Sequence, residues 1–384
     1  MGQGHVKRPL SSVKNLELLL EYGEIRGAKS SGAPTSMVVL TPPMAEPLLE
    51  VRNLSASFTM GGRTLPAIED VSFTVPQGST VALVGESGCG KSVTALSIMG
   101  LIQSPPGRID GGQILFGDQD LLTLDEPALR RVRGDRVAMI FQEPMTSLNP
   151  IFTVGTQVSE GLRLHAHMSR SKMRARTLEL LSAVGIPAPE QRMGAYPHQL
   201  SGGMRQRVMI AMALACSPNL LIADEPTTAL DVTIQAQILE LLSDLKRQLR
   251  MSILLITHDL GIVAQHAEHV VVMYAGRVVE AAGVEELFQA PKHPYTRGLL
   301  ASIPARAIND PTASPPSRLP TIEGLVPSLG QLSTGCRFAE RCSRRLVYGT
   351  SAQRCQIEEP EFLTVDGGHT ARCHFPIEAT DVAN

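Results

Sequence analysis

A chain of 384 residues exceeds the roughly 100–200 residues of a typical domain, so we expect one main domain with appended segments. The 43% hydrophobic and 19% charged residues are globular values, which exclude disorder throughout the chain. Lys and Arg number 35 against 37 Asp and Glu, and this net charge of −2 argues against nucleic acid as a partner, because such binding needs a basic surface.

The N-terminal region, residues 1–46, mixes Gly, Ser and Pro with scattered charges, and we predict that it is mostly disordered. Met37 and Met44 both precede the first strand-like pattern, so a later translation start is an alternative. The N-terminus lacks the order of a secretory signal, and no apolar run approaches the ~18 residues that span a bilayer. We therefore expect a cytosolic chain that reaches the membrane through partners.

The following segments predict an antiparallel sheet and then a parallel one. Apolar residues alternate over 49–54, Gly61-Gly62 predicts a turn, and residues 67–75 again have a strand pattern. The apolar run 80–84 predicts a strand buried on both faces of a parallel sheet, with a helix over 92–101 after it. Further along, residues 155–195 look helical, and strand patterns at 220–223 and 253–256 complete an alternating β/α order.

A glycine-rich loop lies between the first buried strand and its helix. Residues 85–92 fit the pattern GxxxxGK[ST] in the context that a phosphate-binding loop requires. Its glycines let backbone N–H groups turn toward a phosphate, and the helix N-terminus adds the positive end of its dipole. Lys91 can reach the β- and γ-phosphates of ATP, and the Ser92 hydroxyl can ligate Mg²⁺. The predicted nucleotide-binding residues are Gly85, Glu86, Ser87, Gly88, Cys89, Gly90, Lys91, Ser92 and Val93.

Two further motifs indicate phosphate chemistry. The strand pattern at 220–225 ends in Asp224 and Glu225, of which the first can hold Mg²⁺ through water and the second can polarise an attacking water. A serine and two glycines open a long helix, which predicts a second phosphate-binding device. Those residues are Ser201, Gly202 and Gly203.

The set of motifs resembles that of an ABC-type ATPase, the nucleotide-binding subunit of an ABC transporter. The motifs keep the family's order over residues 47–300, with Gln142 after an apolar strand, residues 229–231 after the acid pair, and His258 after Thr257. The fold that this resemblance implies is α/β: a P-loop ABC-type ATPase core with an antiparallel β subdomain and a helical subdomain over about 145–210, plus a small Cys-containing C-terminal extension over 301–384.

The resemblance also implies a role for each motif residue. It implies a head-to-tail pair in which Ser201 and Gly203 of one subunit complete the γ-phosphate site of the other. Asp231 would join the two sites across the dimer, and Phe58 would stack on adenine. The implied catalytic residues are Glu225 as base, His258 beside the γ-phosphate and water, Gln142 as γ-phosphate sensor, and Lys91; the implied Mg²⁺ ligands are Ser92, Gln142 and Asp224.

Three stretches are similar to the peptide/nickel importer group: residues 141–150, residues 224–237 and the His-Pro-Tyr segment at 293–300. Met204, where many relatives carry Gln, is similar to the D-type ATPase of oligopeptide and dipeptide importers. The implied partners are an F-type ATPase subunit in a heterodimer, two transmembrane permeases and an extracytoplasmic peptide-binding protein. The chain would be peripheral on the cytoplasmic side of the cell membrane. Nickel or another small solute is the alternative cargo.

A non-transport ABC ATPase acting on DNA or ribosomes is an alternative of another class. Such proteins usually carry long coiled-coil insertions or two ATPase domains. This sequence has one P-loop, and 201 − 142 = 59 positions separate Gln142 from Ser201, which disfavours that alternative.

Four of the six cysteines lie in the last 49 residues, which in a reducing compartment points to metal rather than disulfides. A proline-rich linker, residues 304–320, precedes them. Their gaps of five, twelve and seventeen residues lack the paired CxxC of common zinc ribbons. The four are Cys336, Cys342, Cys355 and Cys373.

This tail resembles the D-type extension that holds a [4Fe–4S] cluster through four cysteines. The stretch from Gly335 to Cys342 matches closely, but the gap before Cys355 is longer than in the family, as if residues 346–353 were an insertion. Ligation by Cys355 is therefore open. Zn²⁺, with His369 or His374 as substitute ligands, and free thiols are the alternatives. A metal or redox sensor that gates ATPase activity is compatible with transport.

Overall fold

The computed structural model describes residues 47–142, 147–227, 231–303, 321–328, 330 and 332–378. The predicted disorder of residues 1–46 and the linker at 304–320 lie outside these ranges, as do residues 143–146 and 228–230 of the motifs. Within the described ranges, none of the helices combines the length and the apolarity that crossing a bilayer requires.

Twelve strands form two sheets in the described residues. The antiparallel sheet has the order β2-β1-β4-β5, and the larger sheet has the order β11-β12-β10-β9-β3-β8-β7-β6. The strands are β1 (Pro47–Met60), β2 (Arg63–Pro76), β3 (Thr80–Val84), β4 (Gly107–Phe116), β5 (Gln119–Asp120), β6 (Val137–Ile140), β7 (Leu220–Asp224), β8 (Ser252–Thr257), β9 (His269–Tyr274), β10 (Arg277–Gly283), β11 (Leu363–Asp366) and β12 (His369–Ala371).

Twelve α-helices accompany these strands in the described residues. They are α1 (Lys91–Ile98), α2 (Glu126–Val132), α3 (Val154–His165), α4 (Arg170–Ala183), α5 (Pro189–Arg192), α6 (Gly202–Ala213), α7 (Val232–Leu249), α8 (Leu260–His266), α9 (Val284–Gln289), α10 (Pro294–Ala301), α11 (Arg345–Tyr348) and α12 (Arg354–Ile357). Short 3₁₀ turns occur at Leu121–Thr123, Pro197–Gln199, Ala339–Arg341 and Gly349–Gln353.

The parallel strands of the larger sheet are buried on both faces, as their continuous apolar sequences predicted. Every residue of β3, β7 and β8 is buried. In register, Val84 of β3 pairs with Thr257 of β8, and Asp224 of β7 pairs with Ile256. The carboxyl ends of all three strands therefore meet at one edge, where α/β sheets bind their ligands.

Three hydrophobic cores hold the layers together. One lies between the two sheets and includes Leu83 and Ile256. A second joins the larger sheet to α3, α4, α6 and α7. The third lies on β9 and β10 and includes Tyr295 of α10 and Phe338 from the tail. The expected α/β fold with an antiparallel sheet and a helical region is confirmed; the expected helix over 92–101 is shorter, because α1 ends at Ile98 and Gly100 has φ +62°.

The cysteine-bearing tail continues the larger sheet. Strand β12 pairs with β10, Ala371 opposite Glu280, and β11 pairs with β12. The stretch expected to be an insertion forms α11 and a 3₁₀ turn, after which the Cys355 carbonyl accepts the Cys336 N–H at 2.8 Å. The domain boundaries read from the sequence stay predictions.

Candidate functional site

Two glycines of the phosphate-binding loop, Gly85 and Gly90, have no room for a Cβ atom. Gly85 leaves β3 with φ +152°, and a Cβ there would lie 2.3 Å from the Met273 carbonyl oxygen. Gly90, with φ 104°, is the N-cap of α1, and a Cβ on it would lie 2.6 Å from Ile68 Cγ2. The loop is therefore pressed against β9 and β2, with the N-terminus of α1 behind it, as the motif predicts.

Lys91 and Ser92 begin α1 directly behind the loop. The Lys91 ammonium is buried and donates to the carbonyl oxygens of Gly85 at 2.8 Å and Glu86 at 3.1 Å. The Ser92 side chain lies close enough to the carboxylate of Asp224, at the end of β7, to lower the pKa of that carboxylate against the larger rise that burial causes. Two residues of the loop motif and the first residue of the acid pair thus lie together.

The residues around Asp224 fit a magnesium ion. Asp224 is 3% exposed, and its Oδ1 is buried without a hydrogen-bond partner among the described residues. Burial raises the pKa of Asp224, and the hydrogen bond from Ser92 works against that rise. A hard cation with oxygen ligands would satisfy the orphaned oxygen and favour the ionised carboxylate.

Glu225 lies at the centre of a hydrogen-bonded group at the same edge. Its backbone has φ 45°, a left-handed conformation, and its N–H donates to the Ile256 carbonyl oxygen at 2.9 Å. Gln142 Nε2 donates to Glu225 Oε2 at 2.9 Å, and His258 Nδ1 lies 3.2 Å from Glu225 Oε1. A non-glycine residue with positive φ is strained, and such strain is typical of functional sites.

The second glycine motif lies at the surface. Ser201 is the N-cap of α6, and its Oγ accepts the Met204 N–H at 3.3 Å. Ser201 and Gly202 are exposed, and Gly203 faces Ile234 on α7, whose N-cap is Asp231. These residues therefore place the N-terminus of α6 at the surface.

The sequence did not predict that Gln206 contributes to the site. It is fully buried on α6, and its Nε2 donates to the Pro226 carbonyl oxygen, one residue after Glu225. The helix that begins at Ser201 is thereby tied to the loop that carries Glu225. A glutamine inside an apolar helix is the signal that could have found it, because a buried amide needs a partner.

Phe58 lies near the end of β1, half-buried, opposite Leu65 of β2 and Gly107 of β4. A Cβ on Gly107 would lie 2.9 Å from Phe58 Cε1. Its predicted stacking on adenine stays a prediction.

The His-Pro-Tyr segment that opens the tail has a structural explanation. His293 is the N-cap of α10, and its Nδ1 accepts the Tyr295 N–H at 3.1 Å. Fully buried Glu280 of β10 accepts N–H bonds from Lys292 at 2.5 Å and His293 at 2.9 Å, and lies 2.7 Å from His369 Nε2. Burial lowers the pKa of His293 to about 4, so the ring is neutral. The segment fastens α10 and the tail to the sheet.

All four tail cysteines line one small cavity of about 20 Å³: Cys336, Cys342, Cys355 and Cys373. Burial raises the pKa of Cys336 and Cys373 to about 12. Among the residues that the structure describes, no three His, Cys, Asp or Glu side chains form a group that could hold a metal ion. His374 Nε2 lies 2.9 Å from the Glu358 carbonyl oxygen, and His369 is engaged with Glu280.

Two family models match the chain. The model described as "ABC transporter" matches residues 68–228, which include the phosphate-binding loop and the acid pair. The model described as "Oligopeptide/dipeptide transporter, C-terminal region" matches residues 279–346, from β10 to the second tail cysteine.

Curated relatives match over nearly their whole length. The oligopeptide transport ATP-binding protein AppD of Bacillus subtilis is 52% identical over 326 residues, which cover 85% of this chain and 96% of AppD. The dipeptide transport ATP-binding protein DppD of Haemophilus influenzae is 50% identical over 330 residues, 86% of this chain and 96% of DppD.

A solved structure shares the fold. The ATP-binding cassette MJ0796, a dimer in a post-hydrolysis state bound to ADP and Pi, is 30% identical with a TM-score of 0.55. The match covers 62% of this chain and 98% of that one.

Proposed function

This chain belongs to the ABC transporter family of ATP-binding proteins, and on that premise we propose that it is the ATP-hydrolysing subunit of an importer for di- or oligopeptides. The observation that carries the proposal is the continuous similarity to oligopeptide and dipeptide transport proteins through both the ATPase core and the tail. The same family implies a peripheral position on the cytoplasmic side of the cell membrane.

The geometry supports a separate role for each residue of the ATP site. Lys91 binds the β- and γ-phosphates, Glu225 takes the proton of the attacking water, and His258 holds the γ-phosphate and that water beside it. The 3.2 Å contact of His258 with Glu225 supports this pairing. Bound Mg²⁺ supplies charge neutralisation of the phosphates, with Ser92, Gln142 and Asp224 as its holders. Phe58 contacts the adenine.

A heterodimer with an F-type ATPase subunit completes the proposal. Ser201 and Gly203 lie at an exposed helix N-terminus, so they are available to a nucleotide held by another chain. MJ0796 is a dimer in its structure with ADP and Pi, which supports pairing of two ATP-binding chains. Asp231 lies beside them as the N-cap of α7 and would join the two sites.

Two permeases and an extracytoplasmic peptide-binding protein would complete the importer. After Gln142, Ile151 is 72% and Phe152 47% exposed, and exposed apolar side chains of this size support docking of a membrane partner there. In vesicles with the co-purified complex, we expect ATP-dependent uptake of labelled dipeptide. Uptake of Ni²⁺ alone would reject the peptide cargo, and Glu225→Gln is the control that should stop uptake of either.

The tail cavity supports a [4Fe–4S] cluster held by the four cysteines. A single zinc ion needs its sulfurs at about 2.3 Å, whereas a cluster of four irons spreads four cysteines more widely. The observation that supports the cluster is that all four cysteines line one cavity. When bound, the cluster supplies a cross-link of four thiolates and a redox centre. Protein purified without air should be coloured and contain iron and sulfide; stoichiometric zinc in colourless protein would overturn this.

A further inference from the structure

The phosphate-binding loop is held from outside the ATPase core by the cysteine-bearing tail. Arg341, immediately before Cys342, donates from Nη1 to both carboxylate oxygens of Glu86, at 3.0 and 3.1 Å. Glu86 is the second residue of the loop. The contact joins two residues that are 255 positions apart in the chain.

Arg341 is fixed by its own surroundings, so it can act as an anchor. Its side chain is 7% exposed, and its guanidinium lies over the Tyr274 ring at 5.7 Å. Nε donates to the Glu323 carbonyl oxygen at 2.9 Å and Nη2 to that of Ile322 at 3.3 Å. A planar guanidinium with these bonds has little freedom left, which is the condition for transmitting a position to Glu86.

Three groups of Glu86 form hydrogen bonds, and one of these bonds joins it to Lys91. Its N–H donates to the Tyr295 hydroxyl at 3.0 Å, its carboxylate accepts from Arg341, and its carbonyl oxygen accepts from the Lys91 ammonium at 3.1 Å. Tyr295 is fully buried, with its ring centroid 4.7 Å from that of Tyr274. The peptide group that orients Lys91 therefore depends on two residues outside the core motifs.

A second arginine of the same tail loop supports the other end of the phosphate loop. Arg337, next to Cys336, donates to the Ala275 carbonyl oxygen and pairs with Glu69 of β2. The following residue, Gly276, donates its N–H to the Cys89 carbonyl oxygen at 3.0 Å. The segment between the first two tail cysteines thus contacts the phosphate loop directly at Glu86 and through the β9–β10 turn at Cys89.

We propose that Arg341 is a positioning residue for ATP binding: by holding Glu86 it keeps the phosphate-binding loop and Lys91 in the nucleotide-binding geometry, so the tail sets the affinity for ATP. This inference rests on the proposed ATP-binding function. It gives the tail a role in the nucleotide site that does not depend on what the cysteines bind.

The first test measures ATP and ADP affinity of the full chain by calorimetric titration. A charge-assisted bond that is partly exposed is worth about 1 kcal/mol, so Arg341→Gln and Glu86→Gln should each weaken binding about five- to tenfold. The double variant should be no weaker than either single one, because both remove the same contact. Arg341→Lys should recover part of the affinity.

Arg354→Gln is the matched control. Arg354 also precedes a tail cysteine and pairs with a glutamate, Glu358, at 2.5 Å, but this pair is on the exposed surface. The Arg354→Gln variant should therefore bind ATP with the same affinity as the wild type. Equal losses for Arg354→Gln and Arg341→Gln would overturn the proposal, and so would additive losses in the double variant.

A second measurement separates positioning from mere stability. Coupling is reciprocal, so ATP should slow hydrogen exchange of the backbone at Ala339–Arg341 in the wild type, and less so in Glu86→Gln. Glu86→Gln leaves the tail sequence intact, so it remains informative even if Arg341→Gln does not fold. Unchanged affinity in Glu86→Gln would reject the inference while ATP binding stands; a wild type that binds no ATP would reject the proposed function itself.

Discussion

At the scale of single residues, the site depends on backbone positions that only particular side chains tolerate. Glu225 has a left-handed backbone although it is not glycine, and three contacts hold it there. At Gly85 the constraint is steric, because neighbouring atoms already fill the space that a Cβ atom would need. Both positions are next to buried strands, so the sheet fixes them before any ligand arrives.

Gly85→Ala should lower the free energy of unfolding by about 2–4 kcal/mol. The added Cβ would meet the Met273 carbonyl oxygen at 2.3 Å and Cys89 Sγ at 2.7 Å. Gly78→Ala is the control, since its φ is +74° but nothing lies within 4 Å, and it should cost only about 1 kcal/mol. Urea unfolding compares the two, and equal losses would contradict the steric explanation.

The protein should become less stable as the pH is lowered, because His293 becomes protonated in the unfolded chain before it does in the folded chain. Its pKa is about 4 in the folded chain because the ring is buried, whereas an unfolded histidine titrates near 6.5. Between these values the unfolded chain binds more protons, so stability decreases as the pH falls from about 6.5 to 4, by on the order of 3 kcal/mol. A protonated Nδ1 could no longer accept the Tyr295 N–H.

His293→Asn tests this pH dependence, because asparagine can still cap α10 but does not titrate. Thermal unfolding at several pH values should show a flatter acid limb in the variant. An acid limb as steep as that of the wild type would mean that another group is responsible.

At the scale of elements, β12 lies between β10 and β11 in the larger sheet, and its segment makes two long-range side-chain contacts. His369 of β12 meets Glu280, and Arg372 just beyond it donates to Asp70 of β2 at 2.7 Å. Arg372 also donates to the Val278 carbonyl oxygen of β10 at 3.0 Å. This short strand therefore ties both sheets to the tail.

A chain ending at Phe362 should lose at least about 1–3 kcal/mol of stability, because β10 loses its pairing with β12 and Glu280 loses its hydrogen bond to His369. A chain ending at Glu378 is the matched control and should melt like the full chain. Cys373→Ser in the full chain separates the loss of the strand from the loss of a cysteine. Thermal unfolding checks all three, and a truncated chain that melts normally would show that β12 is dispensable.

The sequence predicted those elements whose residue patterns lie within one short stretch of the chain. The loop from Gly85 to Ser92 and the acid pair Asp224-Glu225 were predictable because strand, turn and helix patterns adjoin them. The contacts of Arg341 with Glu86 and of Gln206 with Pro226 were not, since they join distant segments and leave no periodic pattern. The tail was expected as an appendage, but its strands extend the main sheet, which short polar sequences do not reveal.

At the scale of the whole molecule, the described residues place the phosphate-binding loop and the acid pair together, and the helix N-terminus at Ser201 lies at the surface. Ser201 and Gly202 are exposed, whereas Lys91 and Asp224 are buried. In the proposed heterodimer, two chains would enclose one ATP from both sides.

Glu225→Gln should trap such a pair. Removing the base should slow ATP hydrolysis about 10²–10⁴-fold while leaving ATP binding intact, so the heterodimer should persist with ATP bound. Light scattering after size exclusion, with and without ATP, measures the assembly. A variant that stays monomeric beside its F-type partner at saturating ATP would contradict the shared site, and wild type with ADP is the reference for the open state.

The bond between Arg341 and Glu86 also has a consequence for biosynthesis. A ribosome makes the phosphate loop first and reaches Arg341 only 255 residues later. A nascent or prematurely terminated polypeptide thus carries the loop without this contact, and under our proposal its nucleotide site would bind ATP more weakly until Arg341 has been made.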